Sequence, residues 1–256
     1  MDIILVPGLW LDASSWERVV PALEAAGHRA HPLTLPGMES RDADRSGVGL
    51  REHVDAVVAA IDACGPEKVL LVGHSAGCGV CHAAVDARPD RVARAVYVGG
   101  FPTGDGGTLA DGFPVRADDL PLPDWSEFGP EDLTDLDEGA LEGFRARAVP
   151  SPARLVLDRQ RLSDERRYDV PVTAVATEYT TETLLAWIRS GAEPGAGVRA
   201  PEGRPRRPAD GALAPAHPPR RPRARDPRRR GEGVTRLSVR AEPAGRRRRR
   251  PGGRRQ

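Results

Sequence analysis

Lysine is almost absent from this chain: Lys68 is the single one in 256 residues, so arginine carries the basic charge. No stretch approaches the roughly 18 consecutive apolar residues of a membrane helix, and a membrane association is not expected. The apolar start Ile3-Ile4-Leu5-Val6 lacks a charged leader and reads as a short strand rather than a secretory segment. The cytoplasm is the default compartment on this reading. Three cysteines, Cys64, Cys78 and Cys81, are too few for a disulfide framework. Cys78 and Cys81 form a C-x-x-C, but in a helix-compatible stretch where buried small residues are expected rather than a redox pair or metal site.

Other absences are confined to one end. From Gly195 onward there is no aromatic residue and no isoleucine. That segment holds 20 arginines against 5 acidic residues, a net of +15, whereas the preceding 194 residues hold 18 basic and 32 acidic ones, a net of −14. Such asymmetry marks a basic tail on a separate domain. A segment of arginine, proline, glycine and alanine buries too little apolar area to offset its ordering entropy, so residues 195–256 are expected to be a disordered low-complexity tail. Phosphate or acidic-partner binding through the tail is one functional class this allows. The lack of interleaved aromatics to stack bases argues against nucleic acid.

The body, residues 1–194, alternates apolar β-branched runs with helical periodicity. Ile3–Val6 reads as a buried strand. A helix follows with Ser14 or Ser15 as N-cap and Trp16, Val19, Val20 and Leu23 at helical spacing. Arg29 to Leu35 reads as a strand. Leu50 to Cys64 is an amphipathic helix with Val54, Val57, Val58 and Ile61 on one face. Strands are expected at Lys68–Val72, Arg94–Val98 and Val170–Ala176, and a helix at Thr181–Ser190. The alternation predicts an α/β fold, a mostly parallel sheet with helices on both faces. Residues 103–169 interrupt the pattern. They are acidic and helical in their second half, and read as a lid or as a solvated helical excursion.

The pentapeptide Gly73-His74-Ser75-Ala76-Gly77 carries the chemistry. An apolar strand runs into it and a small-residue helix, Cys78 to Arg88, leaves it, which is the context of a nucleophile elbow. The turn is too sharp for side chains beside the serine, and it holds the hydroxyl out at the strand's carboxyl end. Ser75 is therefore the nucleophile candidate. A serine attacking a carbonyl needs donors for the oxyanion that forms. The Ala76 N–H is one; the loop Pro7-Gly8-Leu9-Trp10 after the first strand offers the second, from Leu9.

These residues resemble the α/β-hydrolase superfamily, in particular its small esterases and hydroxynitrile lyases. The resemblance rests on Val6-Pro7-Gly8-Leu9-Trp10, Trp16, Ala26-Gly27-His28, Leu33-Thr34-Leu35-Pro36-Gly37, Val72 to Gly77 and Arg88-Pro89-Asp90-Arg91-Val92, and resumes at Tyr168 to Ile188. It implies serine-dependent hydrolysis of a small carboxylic ester through an acyl-enzyme, with no metal or organic cofactor. The family order of Ser, acid, His points to Glu178 as the acid, with Glu182 as the alternative.

The base is missing. Of six histidines, His28, His31, His53, His74 and His82 precede the acid. His28 and His53 read as exposed, His82 as packed or exposed, and His74 sits inside the elbow itself. Only His217 has the required order, and Pro215-Ala216-His217-Pro218-Pro219-Arg220 offers neither a strand before it nor a helix after it. No general base is identified, so impaired catalysis, or a catalytically inactive ligand-binding domain, is expected of the chain as written. A single change of reading frame near Pro194 accounts for the missing base, the missing last strand and helix, and the basic tail together. With arginine codons of the CGN kind, a one-base shift lets 203–209 read Val-Asp-Leu-Val-Asp-Leu-Pro and 210–216 read Thr-Ala-His-Trp-Pro-Gln-Leu. A helix-compatible stretch then follows at 220–228.

Overall fold

The computed structural model describes residues 1–110, 112–130, 132–177 and 180–190. In chain order its elements are β1 (Asp2–Val6), α1 (Val20–Ala25), β2 (Arg29–Pro32), α2 (Leu50–Ala63), β3 (Val69–His74), α3 (Gly77–Ala87) and β4 (Val92–Val98). They continue with β5 (Asp119–Leu120), α4 (Glu138–Arg147), β6 (Ser151–Pro152), α5 (Arg154–Leu157), β7 (Val172–Val175) and α6 (Thr181–Ser190). Five strands form a parallel sheet in the order β2-β1-β3-β4-β7. The expected fold is the observed one. A parallel pair needs a crossover, and each apolar strand is followed by a helix that supplies it.

Register follows the apolar pattern. Leu5 lies opposite Val72, Gly73 opposite Tyr97, and Tyr97 opposite Ala174. Alternate residues of β3 face opposite ways, so Val69 and Leu71 are fully buried while Leu70 and Val72 are half-buried. One face, with Ile4, Val6, Leu71 and Tyr97, packs under the apolar sides of α2 and α3. The other, with Ile3 and Leu5, is covered by Trp16 and by Leu23 of α1.

Several expectations shift in detail. The strand expected at 29–35 leaves the ladder at Pro32, because proline has no N–H to continue it, and one further bond runs from Leu33 N–H to Leu5 O at 2.9 Å. The first helix is not capped by Ser14 or Ser15. Asp12 caps a single 3-10 turn, its carboxylate accepting the Ser14 N–H at 2.8 Å, and α1 begins only at Val20 with Pro21 in its first turn. The largest correction concerns His53, which is 1% exposed rather than solvated. It lies in phase with Leu50, Val57 and Ile61 on the buried side of α2. His82 is likewise packed, its Nδ1 3.1 Å from the Tyr97 hydroxyl.

Within 103–169, α4 has no buried residue, while other described parts are tied to the rest of the fold. The short antiparallel ribbon β5–β6 sits against the loop after β1. Arg45, 4% exposed, donates to Pro150 O at 2.7 Å, to Ser40 O at 2.6 Å and to the Asp119 carboxylate at 3.3 Å. Arg41 donates to the last carbonyls of α4, Ala146 O at 2.8 Å among them, where a cation also complements the helix dipole. Further along, Asp86 accepts from Ser163 and Asp164 N–H and pairs with buried Arg167 at 3.1 Å.

Candidate active site

The carboxyl ends of β1, β3, β4 and β7 meet at one edge of the sheet. Ser75 N–H donates to Val98 O at 2.9 Å, and Gly99 N–H donates to Val175 O at 3.1 Å, so the chain ends of three strands are tied in series. Ser75 itself has φ +51°, the left-handed region that costs a residue with a Cβ on the order of 1–2 kcal/mol. The strain is held in place by what surrounds it. A Cβ at Gly73 would lie 2.6 Å from Gly77 O, one at Gly100 would lie 2.5 Å from Ser75 O, and one at Gly8 would lie 2.9 Å from Ser75 Cβ. The turn therefore closes only with glycine at these positions. It leads directly into α3, whose first-turn Cys78 N–H donates to Ser75 O at 2.9 Å.

Gly8 touching Ser75 brings the two expected donor segments together. Leu9, its neighbour, is 6% exposed, and Ala76 is 8% exposed. Among the described residues neither the Leu9 nor the Ala76 N–H has an acceptor. Ser75 thus stands in a left-handed turn at the start of α3, followed by Ala76 and touched by Gly8, the neighbour of Leu9.

The loop that carries Leu9 is fixed by Trp10, which has φ +63°. Its N–H donates to Ser151 Oγ at 2.8 Å, its indole Nε1–H to Leu120 O at 3.0 Å, and its carbonyl accepts from Val149 N–H at 3.0 Å. All three partners lie on or beside β5–β6. The Trp10 ring also meets Phe113 and Phe128 edge-on, at 5.2 and 5.9 Å between centroids. This anchoring was invisible in the sequence, since Trp10 and Ser151 are 141 positions apart.

His74 is pushed down to about 4 by burial, stays neutral near pH 7, and packs edge-on to Trp16 at 6.4 Å. Burial pushes the thiols of Cys78 and Cys81 far up, and both are free and buried, which fits packing rather than reactivity. Among the described residues, Asp2, His31 and Cys64 place ligand-type atoms within 4.8 Å of one another. They lie at the opposite, amino end of β1, and both Asp2 oxygens already accept from Arg29. Glu178 and His217 lie outside the described residues, as does the tail. Glu182 stands exposed in the first turn of α6. Among the described residues no helix is long and apolar enough to cross a membrane.

The chain matches the model of the alpha/beta hydrolase family over residues 3–229. It is 44% identical over 100 residues to Esterase PIR7B of Oryza sativa subsp. japonica, covering 37% of each chain. It is 35% identical over 105 residues to a pyrethroid hydrolase of Sphingobium wenxiniae, covering 41% of this chain and 38% of that one. The chain thus matches little more than a third of the length of these curated relatives. Among solved structures it resembles an extracellular alpha/beta-hydrolase from a Paenibacillus species, with a TM-score of 0.57 at 21% identity over 69% of this chain and 77% of the other. A methylesterase from Arabidopsis gives a TM-score of 0.59 at 17% identity, covering 79% and 89%. The family match takes in the turn at Ser75, the loop after β1 and the parallel sheet that carries them, and this chain belongs to the alpha/beta hydrolase family.

Proposed function

We propose that the chain is a serine-dependent hydrolase of a small carboxylic ester. The observation that carries this reading is the left-handed Ser75 beside Ala76 and Gly8-Leu9, whose Leu9 and Ala76 N–H groups have no acceptor among the described residues. Relatives that match between a third and a half of its length carry the names of an esterase and of a pyrethroid hydrolase. In the reaction, Ser75 Oγ attacks the ester carbonyl carbon while its proton passes to a base. The carbonyl oxygen becomes an oxyanion held by the two N–H groups. Collapse breaks the acyl carbon–alkoxy bond, the alcohol leaves with the proton, and acyl-Ser75 remains. Water then releases the acid and restores the serine. Glu178, directly after β7, is assigned to orient the base, and residues 103–169 to close over the serine as a lid.

The body ends near Pro194 on this reading, and the histidine base is lost with the frame that encoded it. Without a base, the oxyanion donors alone still support slow acylation by activated esters. The absence of a histidine in competent context after Glu178 is also what favours the second reading, an inactive domain that binds a small ligand.

The test is steady-state hydrolysis of p-nitrophenyl acetate by three proteins: the present chain, its Ser75→Ala variant, and a chain whose frame is restored after Pro194. General-base assistance is worth roughly 10²–10⁴ in rate, so the restored chain should exceed the present one by at least about 10². Replacing only the restored histidine by alanine should return the present rate. A restored chain no faster than this one, or indifference to that alanine, contradicts the assigned machinery.

A further inference from the structure

Against the loop after β1 lies a cavity of about 10 Å³, room for one water molecule, lined by apolar residues such as Leu35, Met38 and Leu155 and by Gly8 and Ala76. Two polar groups also line it, His53 and Ser151. His53 Nε2 is 2.9 Å from Pro36 O, a carbonyl that can only accept, so Nε2 carries the proton of a neutral ring. Burial holds the imidazole below its ordinary pKa and favours that neutral form. Nδ1 is then a bare acceptor, fully buried and without a partner among the described residues. Ser151 has the complementary need. Its Oγ accepts the Trp10 N–H at 2.8 Å, which leaves its own O–H to donate, and it is 0% exposed. His53 and Ser151 both line this cavity of one water's size, and a buried acceptor and a buried donor each cost free energy unless bridged.

We propose that this cavity is a specific site for one structural water, which accepts from Ser151 O–H and donates to His53 Nδ1. His53, the water and Ser151 then form a chain ending on the Trp10 N–H, next to the Leu9 donor. His53 and Ser151 are positioning residues for the donor loop, and the catalytic part of this assignment rests on the proposed ester hydrolysis. The site joins α2, β6 of the 103–169 segment and the loop after β1, three parts far apart in sequence.

The water site is tested without any activity, by the ¹⁵N spectrum of the histidine-labelled chain, with His53→Gln identifying the His53 signals. A hydrogen-bonded Nδ1 resonates upfield of a bare one. The expected result is a bonded Nδ1 in the present chain and a shift toward the bare value in Ser151→Ala. A crystal structure fine enough to show ordered water should have density within hydrogen-bonding distance of both His53 Nδ1 and Ser151 Oγ. A bare Nδ1, a signal unmoved by Ser151→Ala, or a dry cavity overturns the proposal.

The positioning role is read from the rate at which p-nitrophenyl acetate acylates Ser75. Misplacing a donor loop by a fraction of an ångström should slow it about tenfold in Ser151→Ala and in His53→Leu. His53→Gln keeps a donor for Pro36 O and an acceptor for water, and should restore most of the rate that His53→Leu loses. Equal rates in Leu and Gln variants of matched stability overturn the positioning role. If Ser75 is not acylated in the unaltered chain, the ester-hydrolase reading fails, and the nitrogen shift still decides the water site.

Discussion

The two faces of the sheet are finished to different degrees. On one, Ile4, Val6, Leu71 and Tyr97 are sealed under α2 and α3 in a cluster that reaches as far as Leu184 and Ile188 of α6. On the other, four buried residues, Ile3, Leu5, Trp16 and Leu23, form the whole of the second cluster among the described residues, and Leu70, Val72 and Ala30 beside them are half-buried. The elbow belongs to the finished face. Gly73 and Gly77 pack α3 against β3 closely enough that no methyl fits between them. The difference teaches that the turn at Ser75 is set by β3, β4 and α3 on the sealed face, whereas the loop after β1 beside it is held by the distant β5–β6 ribbon through Trp10.

Neighbouring leucines on β3 sharpen that contrast most. Leu71→Ala should cost about 3 kcal/mol in urea unfolding, through lost transfer energy and a cavity that cannot collapse. Leu70→Ala, on the half-covered face, should cost about 1 kcal/mol. Equal costs would mean that the two faces are equally sealed. Next comes Gly73→Ala. Its methyl would stand 2.6 Å from Gly77 O and 2.8 Å from Cys78 Cα, both backbone, so about 2 kcal/mol of overpacking is expected together with slower acylation of Ser75. An unstrained Gly73→Ala protein would break the link between the finished face and the elbow.

A third effect is in pH. Burial, followed by the charge of Arg167, pushes His82 down from 6.5 to about 3. An unfolded chain takes up this proton below about pH 6.5 and the folded one does not until about pH 3. The stabilisation is therefore complete above 6.5 and falls as pH drops toward 3, by at most about 1.4 kcal/mol per unit from this residue. His74 adds the same sign down to about 4. Urea midpoints at pH 7 and pH 5 should separate less in His82→Gln than in the unaltered chain. An unchanged gap would place the acid sensitivity elsewhere.

Most of this face was legible in the sequence. Ile3–Val6 and Lys68–Val72 announce buried parallel strands by unbroken apolar runs, and the glycines around Ser75 announce the turn that only they permit. His53 was misread because a titratable residue on a helix is usually solvated. Its phase with Leu50, Val57 and Ile61, at intervals of three and four, was the available signal. Asp12 displaced Ser14 and Ser15 as a cap because all three are good caps and propensity alone does not choose among them. The anchoring of Trp10 to Ser151, Leu120 and Val149 has no local signature, since it depends on how a distant ribbon docks.

The central claim is that Ser75 sits in a working nucleophile elbow even where no base follows. Incubation of the full chain with an activated fluorophosphonate, followed by tryptic digestion and mass spectrometry, tests it most directly. The account predicts a single phosphonyl adduct on the peptide containing Ser75, lost in Ser75→Ala while far-ultraviolet circular dichroism is unchanged. A folded chain that acquires no adduct, or carries it on another residue with Ser75 replaced, would contradict it.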